Sequence, residues 1–163
     1  MRTGPRLANV TNSVTVSPVS ANSKLTIATH ALAWMTLNER QGGKFTASEQ
    51  IAKSVATNPV VIRRLMSEMA KSGLIETQRG PGAGWRLARA PEDISLWDIN
   101  EALGAEAAFA LHRNEPSESC PVARGIRPAL TPVYARVDDA IRRELAGTRL
   151  ADVLRDTLTV SGA

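Results

Sequence analysis

The sequence predicts a mainly α-helical (α+β) fold, in which a winged helix-turn-helix domain precedes a long C-terminal helix. Three observations support this prediction. Two short amphipathic segments are joined by two residues, which is typical of a helix-turn-helix, and the second segment is basic on one face. The glycine-rich stretch RGPGAGW, at 79–85, then separates two strand-like segments. Further on, apolar residues recur every four positions from Val133 to Leu145, as one face of a long helix requires.

The first two helices follow from apolar spacing and from capping residues. Apolar residues at helical spacing predict a helix that begins near Ser23 and ends at Gly42. The motif TASE then predicts a short second helix, with Thr46 as the N-cap and Glu49 reaching back to the N–H of the cap residue.

The third helix has the clearest start signal in the chain. Asn58 is a favoured N-cap residue, and Pro59 fits the first helical position. One face carries an apolar stripe that we expect to be buried: Val61, Ile62, Leu65, Met66 and Met69. The other face carries Arg63, Arg64, Ser67 and Lys71, and Gly73 predicts the end of the helix.

A glycine-rich loop such as RGPGAGW has two interpretations, a phosphate-binding loop or the tip of a β-hairpin. A phosphate-binding loop would need a following Lys-Ser or Lys-Thr pair and a helix. Here Trp85 follows, and large apolar residues alternate with other residues as far as Ala88, which is typical of a strand. The loop is therefore predicted to be a hairpin tip, and Gly80, Gly82 and Gly84 are expected to allow positive φ angles in the turn.

Beyond the hairpin, the sequence predicts three more helices and one unassigned stretch. Ser95 and Asp98 have capping-box spacing. Residues 105–120 have no clear assignment. A long helix is predicted from about Pro132 to Ala146, and Thr148 is predicted to cap a short last helix. The apolar stripe of the long helix needs a partner surface, which is either a second copy of the chain or its own domain.

Charge is distributed unevenly along the 163 residues. Between Lys24 and Ala90 there are ten Lys or Arg against four Asp or Glu, whereas from Pro91 to the end there are eight against twelve. A basic first part suggests that this part binds a polyanion, although a solvated basic face is also common.

Composition limits the class of protein in other ways. The single cysteine, Cys120, excludes an intramolecular disulfide and fits a reducing, cytoplasmic setting. No apolar run approaches the roughly 18 residues of a membrane span, so we expect a soluble chain without a membrane partner. Neither a G-x-S-x-G nor an H-E-x-x-H motif is present, so an enzyme is not expected.

We expect three regions along the chain. Residues 1–22 lack a helical stripe and are interpreted as a disordered arm, a misplaced start or a cloning remnant. Residues 23–90 form the predicted winged helix-turn-helix domain. Residues 91–163 form a linker and a helical region for dimerisation or sensing.

In their order and spacing these motifs resemble the Rrf-two (Rrf2) family of bacterial winged-helix transcription regulators. The similarity covers roughly residues 23–155 and rests on SKLTIATHALAWM, TASEQIA, NPVVIRRLMSEMAKSGLIETQRGPGAGWRLA and ISLWDINEALG. The resemblance implies a homodimer held by the long helix. It also implies that each third helix enters the major groove of double-stranded DNA and each wing the adjoining minor groove. We expect a repressor that binds an inverted-repeat operator, with an effector that the sequence does not name.

The resemblance has one departure, at the cysteines. Family members that sense iron–sulfur status or nitric oxide carry three cysteines before the long helix, whereas this chain has Cys120 alone, in ESCPVARG. The chain is therefore similar to the cluster-free, single-cysteine branch, and neither a cofactor nor a metal site is expected. Pro121 places Cys120 at or next to a helix N-cap, where the helix dipole favours a thiolate. Cys120 is interpreted either as a thiol sensor or as a structural residue.

The residue types suggest how DNA would be contacted. Arg63 and Arg64 can donate to guanine, and Val60 and Val61 can contact a thymine methyl group. The candidates for phosphate contact are Thr46, Ser48 and Asn58. The candidates for minor-groove or phosphate contact at the wing are Arg79 and Arg86. The alternative from another class is a winged-helix protein-interaction module that does not bind DNA, which would lack the steep salt dependence of phosphate contacts.

Overall fold

A computed structural model describes residues 23–114, 117 and 119–162, so the predicted arm at 1–22 lies outside the described residues. The elements in chain order are α1 Lys24–Arg40, α2 Ser48–Val55, α3 Pro59–Lys71, β1 Ile75–Gln78, β2 Gly84–Leu87, α4 Leu96–Ala102, α5 Pro121–Gly147 and α6 Leu150–Ser161. The mainly helical class with a two-stranded sheet is confirmed. Within the described ranges, no helix has the length and apolarity to cross a membrane.

The core lies where α1, α2 and α3 meet, and α4 and α6 close it from the C-terminal side. Its fully buried large side chains are Leu32, Met35, Ile51, Ile62, Met66, Met69, Leu74, Ile94, Ile99 and Leu150. The apolar stripe predicted for α3 supplies four buried residues, since Leu65 is buried as well. Val61 is an exception, because 40% of it is exposed, and the expectation that it is part of the buried stripe is wrong.

The helix-turn-helix connection matches the sequence signals closely. Ala56 takes a left-handed conformation with φ 56°, and Thr57 leads directly to the cap of α3. Asn58 caps this helix as predicted, since its Oδ1 accepts a hydrogen bond of 2.8 Å from the N–H of Val60. The chain therefore turns sharply between α2 and α3, which fixes how α3 projects from the domain.

The start of α2 differs from the prediction. The N-cap is Ala47, whose N–H donates to Oε1 of Gln50 at 3.1 Å, so the capping pair of Thr46 and Glu49 does not form. Thr46 instead pairs with the wing, because its N–H donates to the carbonyl of Trp85 at 2.9 Å and its carbonyl accepts from the N–H of Trp85 at 3.0 Å. Its hydroxyl also accepts a hydrogen bond of 3.0 Å from Nδ2 of Asn38. These bonds stabilise Thr46 in an extended conformation one residue before the cap.

The wing is an antiparallel hairpin, as predicted, with Ile75 opposite Leu87 and Gln78 opposite Gly84. Gly80 and Gly82 have φ angles of 83° and 73°, which the tight turn between the strands requires. Gly84 does not have a positive φ, so that part of the turn prediction is wrong. It begins β2 and lies against the backbone of Thr46, where a Cβ atom would come within 2.6 Å of the carbonyl oxygen.

Helix α4 starts as predicted, and α5 is longer than predicted. Helix α4 begins with the expected capping box, in which Ser95 accepts from the N–H of Asp98 at 3.1 Å. Helix α5 begins at Pro121 rather than near Pro132, because Pro128 and Pro132 are both accommodated inside one exposed helix.

The junction between α5 and α6 differs from the prediction in its cap. Thr148 does not cap α6; its hydroxyl donates back to the carbonyl of Glu144 at 3.3 Å, and Arg149 is the N-cap. The same junction is tied to the start of α4, since the N–H of Leu96 donates to the carbonyl of Thr148 and the N–H of Leu150 donates to that of Ile94, both at 2.9 Å. Helix α6 therefore returns to the domain, where it packs against α1.

Candidate nucleic-acid interface

The outer face of α3 combines two apolar and two basic side chains. Val60 and Val61, in the first turn, are 61% and 40% exposed. Arg63 and Arg64 follow on the next turn and are both exposed. Because the opposite face of the helix is buried in the core, these four side chains are held at the surface together.

Arg63 is bound to the first turn of α2. Its Nη1 lies 3.2 Å from Oε1 of Glu49 and 3.3 Å from Oγ of Ser48. The Ser48 hydroxyl also donates to Oε1 of Glu49 at 3.0 Å. Hydrogen bonds from its own backbone N–H and from Ser48 hold the pKa of the Glu49 carboxyl below its usual range, and the Arg63 charge adds to this. Glu49 is therefore ionised at neutral pH and forms a cross-helix ion pair with Arg63.

Arg64 has a different environment, although it is the next residue. Its Nε lies 3.5 Å from Oε1 of Glu68, one turn further along the same helix, and its side chain is 80% exposed. Such an i, i+4 pair leaves a long side chain largely mobile. Arg64 can reach a ligand without breaking a contact to another element.

The two wing arginines also differ from each other. Arg86 on β2 pairs with Glu76 on β1, with Nη2 2.6 Å from Oε2, and its guanidinium lies over the ring of Phe45 at 5.3 Å. Arg79, at the end of β1, is exposed and makes no hydrogen bond or ion pair with any residue that the structure describes. Of the two wing arginines, Arg79 is therefore the one that can bind a ligand without first breaking an ion pair with Glu76.

A groove of about 220 Å³ is lined by the start of α2, by one residue of α3 and by the wing. Ser48, Glu49 and Arg63 line one side of it, and Thr77 and Trp85 line the other. The hairpin is held beside this groove by the Thr46–Trp85 backbone pair. Of the side chains predicted for base contact, Arg63 lies in this groove, whereas Val60, Val61 and Arg64, like the wing residues Arg79 and Arg86, are not among its lining residues.

The phosphate-contact candidates need a correction. Thr46 is 2% exposed and Ser48 is 6% exposed, because the first faces Asn38 and the wing and the second is covered by Glu49 and Arg63. Neither hydroxyl is presented to a phosphate in this conformation. Asn58 is exposed, although its Oδ1 already caps α3. Sequence reasoning missed Glu49 as a member of this surface, because its spacing from Thr46 suggested a cap instead.

Cys120 lies away from this surface, at the start of α5. It is exposed, and it is the N-cap residue, as predicted. The two histidines form hydrogen bonds with other residues. His30 contacts Oγ of Ser54 at 3.1 Å, and Nδ1 of His112 lies 2.9 Å from the carbonyl oxygen of Asn114.

Comparison with known proteins shows the family of the chain. The model of the Rrf2 family, described as an iron-dependent transcriptional regulator, matches residues 21–156. The chain belongs to the Rrf2 family. As an Rrf2 protein it is a DNA-binding transcriptional regulator and not an enzyme.

Individual Rrf2 relatives extend over most of the chain. The HTH-type protein YwnA of Bacillus subtilis (strain 168) is 40% identical over 135 residues, which are 82% of this chain and 96% of YwnA. The crystal structure of the oxidised form of CymR from Staphylococcus aureus is 26% identical with a TM-score of 0.55, and the match covers 79% of this chain and 93% of CymR. The structure of IscR from T. potens shares the fold, with a TM-score of 0.62 at 22% identity, over 86% of this chain and 89% of IscR.

The family description implies iron, which would require a set of ligands in this chain. In the ranges 23–114, 117 and 119–162, no three His, Cys, Asp or Glu side chains are grouped so that they could hold an ion. Cys120 is the one thiol in the sequence and is exposed. These residues do not fit a thiolate-bound iron site.

Proposed function

We propose that the protein is a homodimeric repressor that acts in the cytoplasm and binds an inverted-repeat operator. In this proposal each α3 enters the major groove and each wing enters the adjoining minor groove. The observation that carries the proposal is the outer face of α3, where two valines and two arginines are exposed together and Arg63 lines a groove with residues of the wing. An α-helix that presents such residues from its first turns has the dimensions and the donors for base recognition.

The roles proposed for individual residues follow their exposure and contacts. Arg63 and Arg64 donate to guanine O6 and N7, and Val60 and Val61 contact thymine methyl groups. Asn58 contacts a phosphate at the start of α3, and Arg79 and Arg86 bind the minor groove or its phosphates. Thr46 and Ser48 contribute indirectly, since the first supports the wing and the second supports Arg63.

The dimer is proposed to form through α5. This helix has 27 residues, and none of them is buried in the single chain. Val133 and Ile141, both 39% exposed, lie on the predicted apolar stripe. An exposed amphipathic helix of this length is covered most simply by the same helix of a second copy, through a two-fold interface.

Release from DNA is proposed to respond to oxidation of Cys120. The thiol is exposed at the start of α5, and a relative, CymR of Staphylococcus aureus, was crystallised in an oxidised form. Attack of the thiolate on a peroxide gives a sulfenic acid and releases water after proton transfer. If Cys120→Ser protein leaves its operator under peroxide just as the wild type does, the thiol is structural instead.

The test of the main proposal is selection of bound fragments from sheared genomic DNA by the purified protein at two salt concentrations. We expect an enriched inverted repeat whose half-sites are about one or two helical turns apart. Binding without enrichment, lost at the higher salt, would contradict the sequence-specific role. No retention at either salt would favour a winged-helix module that binds another protein.

A further inference from the structure

Helix α3 carries one arginine, Arg63, whose side chain is bound by a residue of a different helix. Glu49 is the second residue of α2 and Arg63 is the fifth residue of α3, and the two are joined at 3.2 Å. Ser48 adds a second acceptor for the same Nη1 atom at 3.3 Å. Arg63 lines the groove together with Thr77 and Trp85 of the wing, while Arg64 pairs with a residue of its own helix.

This ion pair contributes little to folding. The Arg63 and Glu49 side chains are 51% and 67% exposed, and exposed pairs of this kind are screened by water and salt. A carboxylate beside a proposed DNA-binding surface also repels phosphates. Glu49 also lies in the first turn of α2, where a carboxylate favours the helix dipole, but that role needs no contact with Arg63. The contact between the two side chains therefore suggests a second role, in the placement of Arg63.

The hydrogen-bonding edges of the guanidinium support such a role. Glu49 and Ser48 both bind Nη1, and the side chain makes no other hydrogen bond within the described part of the chain. The edge formed by Nε and Nη2 makes none of these hydrogen bonds. This edge has two parallel donors, which can bind O6 and N7 of guanine. A guanidinium fixed before binding also loses less conformational freedom when the complex forms.

We propose that Glu49 is a positioning residue for DNA recognition, which holds Arg63 by Nη1 so that the Nε–Nη2 edge faces the bases. The carboxylate also lowers affinity for duplexes that offer Arg63 no guanine. This inference rests on the proposed function, because it assumes that α3 is the helix that contacts bases.

The experiment measures base preference at every operator position for the wild type, Arg63→Ala, Glu49→Ala and Glu49→Gln. The matched control is Glu68→Ala, which removes the carboxylate beside Arg64 and the same charge from α3. We expect Glu49→Ala to reduce discrimination about tenfold at the one position that Arg63→Ala also relaxes. Glu49→Gln keeps an acceptor and should lose less, Glu68→Ala should keep the preference at that position, and all four variants should unfold near the wild-type temperature.

Two results separate this inference from the proposal on which it rests. If the wild type selects a sequence and Glu49→Ala selects it with the same preference at every position, the positioning role is wrong and the proposed function stands. Equal tightening of all duplexes by Glu49→Ala and Glu68→Ala would also contradict the positioning role, because it would reduce Glu49 to a charge effect. A wild type that selects no sequence would contradict the proposed function itself.

Discussion

Gly84 is the residue on which the position of the wing depends most directly. A Cβ atom there would come within 2.6 Å of the carbonyl oxygen of Thr46, whose backbone has little room to move because it is paired with Trp85. We expect Gly84→Ala to lower the free energy of unfolding by about 1–3 kcal/mol, through overpacking or loss of the backbone pair. Urea denaturation measures this change.

Gly80→Ala is the matched control for that substitution. Gly80 has a positive φ, but a Cβ atom added there would meet no other atom within 4 Å, so the cost is conformational and on the order of 1 kcal/mol. Gly84→Ala protein that is as stable as the wild type would show that the wing does not depend on close contact with Thr46.

Asp98 gives the capping box of α4 a dependence on pH. Burial alone would raise the pKa of this carboxyl, but hydrogen bonds from the N–H and hydroxyl of Ser95, with the charges of Arg89 and Arg149, lower it. A lowered pKa in the folded state means that the stabilisation is complete above the ordinary value of about 4 and is lost as the pH falls through the folded-state value. We expect Asp98→Asn to cost about 1 kcal/mol at neutral pH.

The measurement is the free energy of unfolding of wild type and Asp98→Asn as a function of pH. The difference should shrink as the pH falls below the ordinary carboxyl value of about 4 and the wild-type carboxyl becomes protonated. A difference that is constant over this range would mean that the carboxylate charge does not contribute to the cap.

Arg79 and Arg63 have different proposed contacts with DNA, with phosphates or the minor groove for Arg79 and with a base for Arg63, and single substitutions distinguish them. Arg79 is exposed at the hairpin tip without a described partner, so we expect Arg79→Ala to weaken binding to all duplexes alike and to reduce the salt dependence by about one phosphate contact. Arg63→Ala should instead relax preference at one base position. Binding titrations at several salt concentrations, with operator and scrambled duplexes, measure both effects.

At the scale of elements, α5 contains two prolines at a spacing of four. Pro132 has no N–H to donate to the carbonyl of Pro128, so one rung of the helical hydrogen-bond ladder is missing. Because both positions are exposed, we expect Pro132→Ala to raise the free energy of unfolding by about 1–3 kcal/mol. Thermal unfolding measures the gain, and a loss of stability would indicate that the proline-induced shape of α5 is needed for packing.

Signals that act within one element were predictable from the sequence, and signals that act between elements were not. Asn58-Pro59 correctly marks the start of α3, because capping depends on neighbouring residues alone. Thr46 looks like a cap equally well, yet its pairing with Trp85, far along the chain, determines its conformation.

The same distinction explains the error at the candidate site, whereas the error in α5 lies within one element and has another cause. The spacing of Glu49 relates it to the start of its own helix, although its partner Arg63 lies on the next one. Pro132 suggests a helix start because proline favours first positions, and only the structure shows that the helix continues through it from Pro121.

At the scale of the whole molecule, the proposed dimer requires that the apolar stripe of α5 is buried between two copies. Val133→Glu combined with Ile141→Glu places two charges on its exposed apolar stripe, which would be buried in a two-fold interface. We expect this variant to sediment as a monomer at concentrations where the wild type is a dimer. Val160→Glu on α6, at a position that is 90% exposed, is the control and should leave the sedimentation unchanged.

In the proposed complex with DNA, the backbone pair between Thr46 and Trp85 also affects which partner has to deform. It joins β2 to the segment that leads into α2, so the hairpin cannot swing independently of the helix-turn-helix. The distance between α3 and the hairpin tip is then largely fixed before DNA binds. A duplex whose groove spacing does not match this distance has to bend or narrow, at an energy that depends on its base steps. Sequence preference should therefore extend to base pairs that no side chain touches.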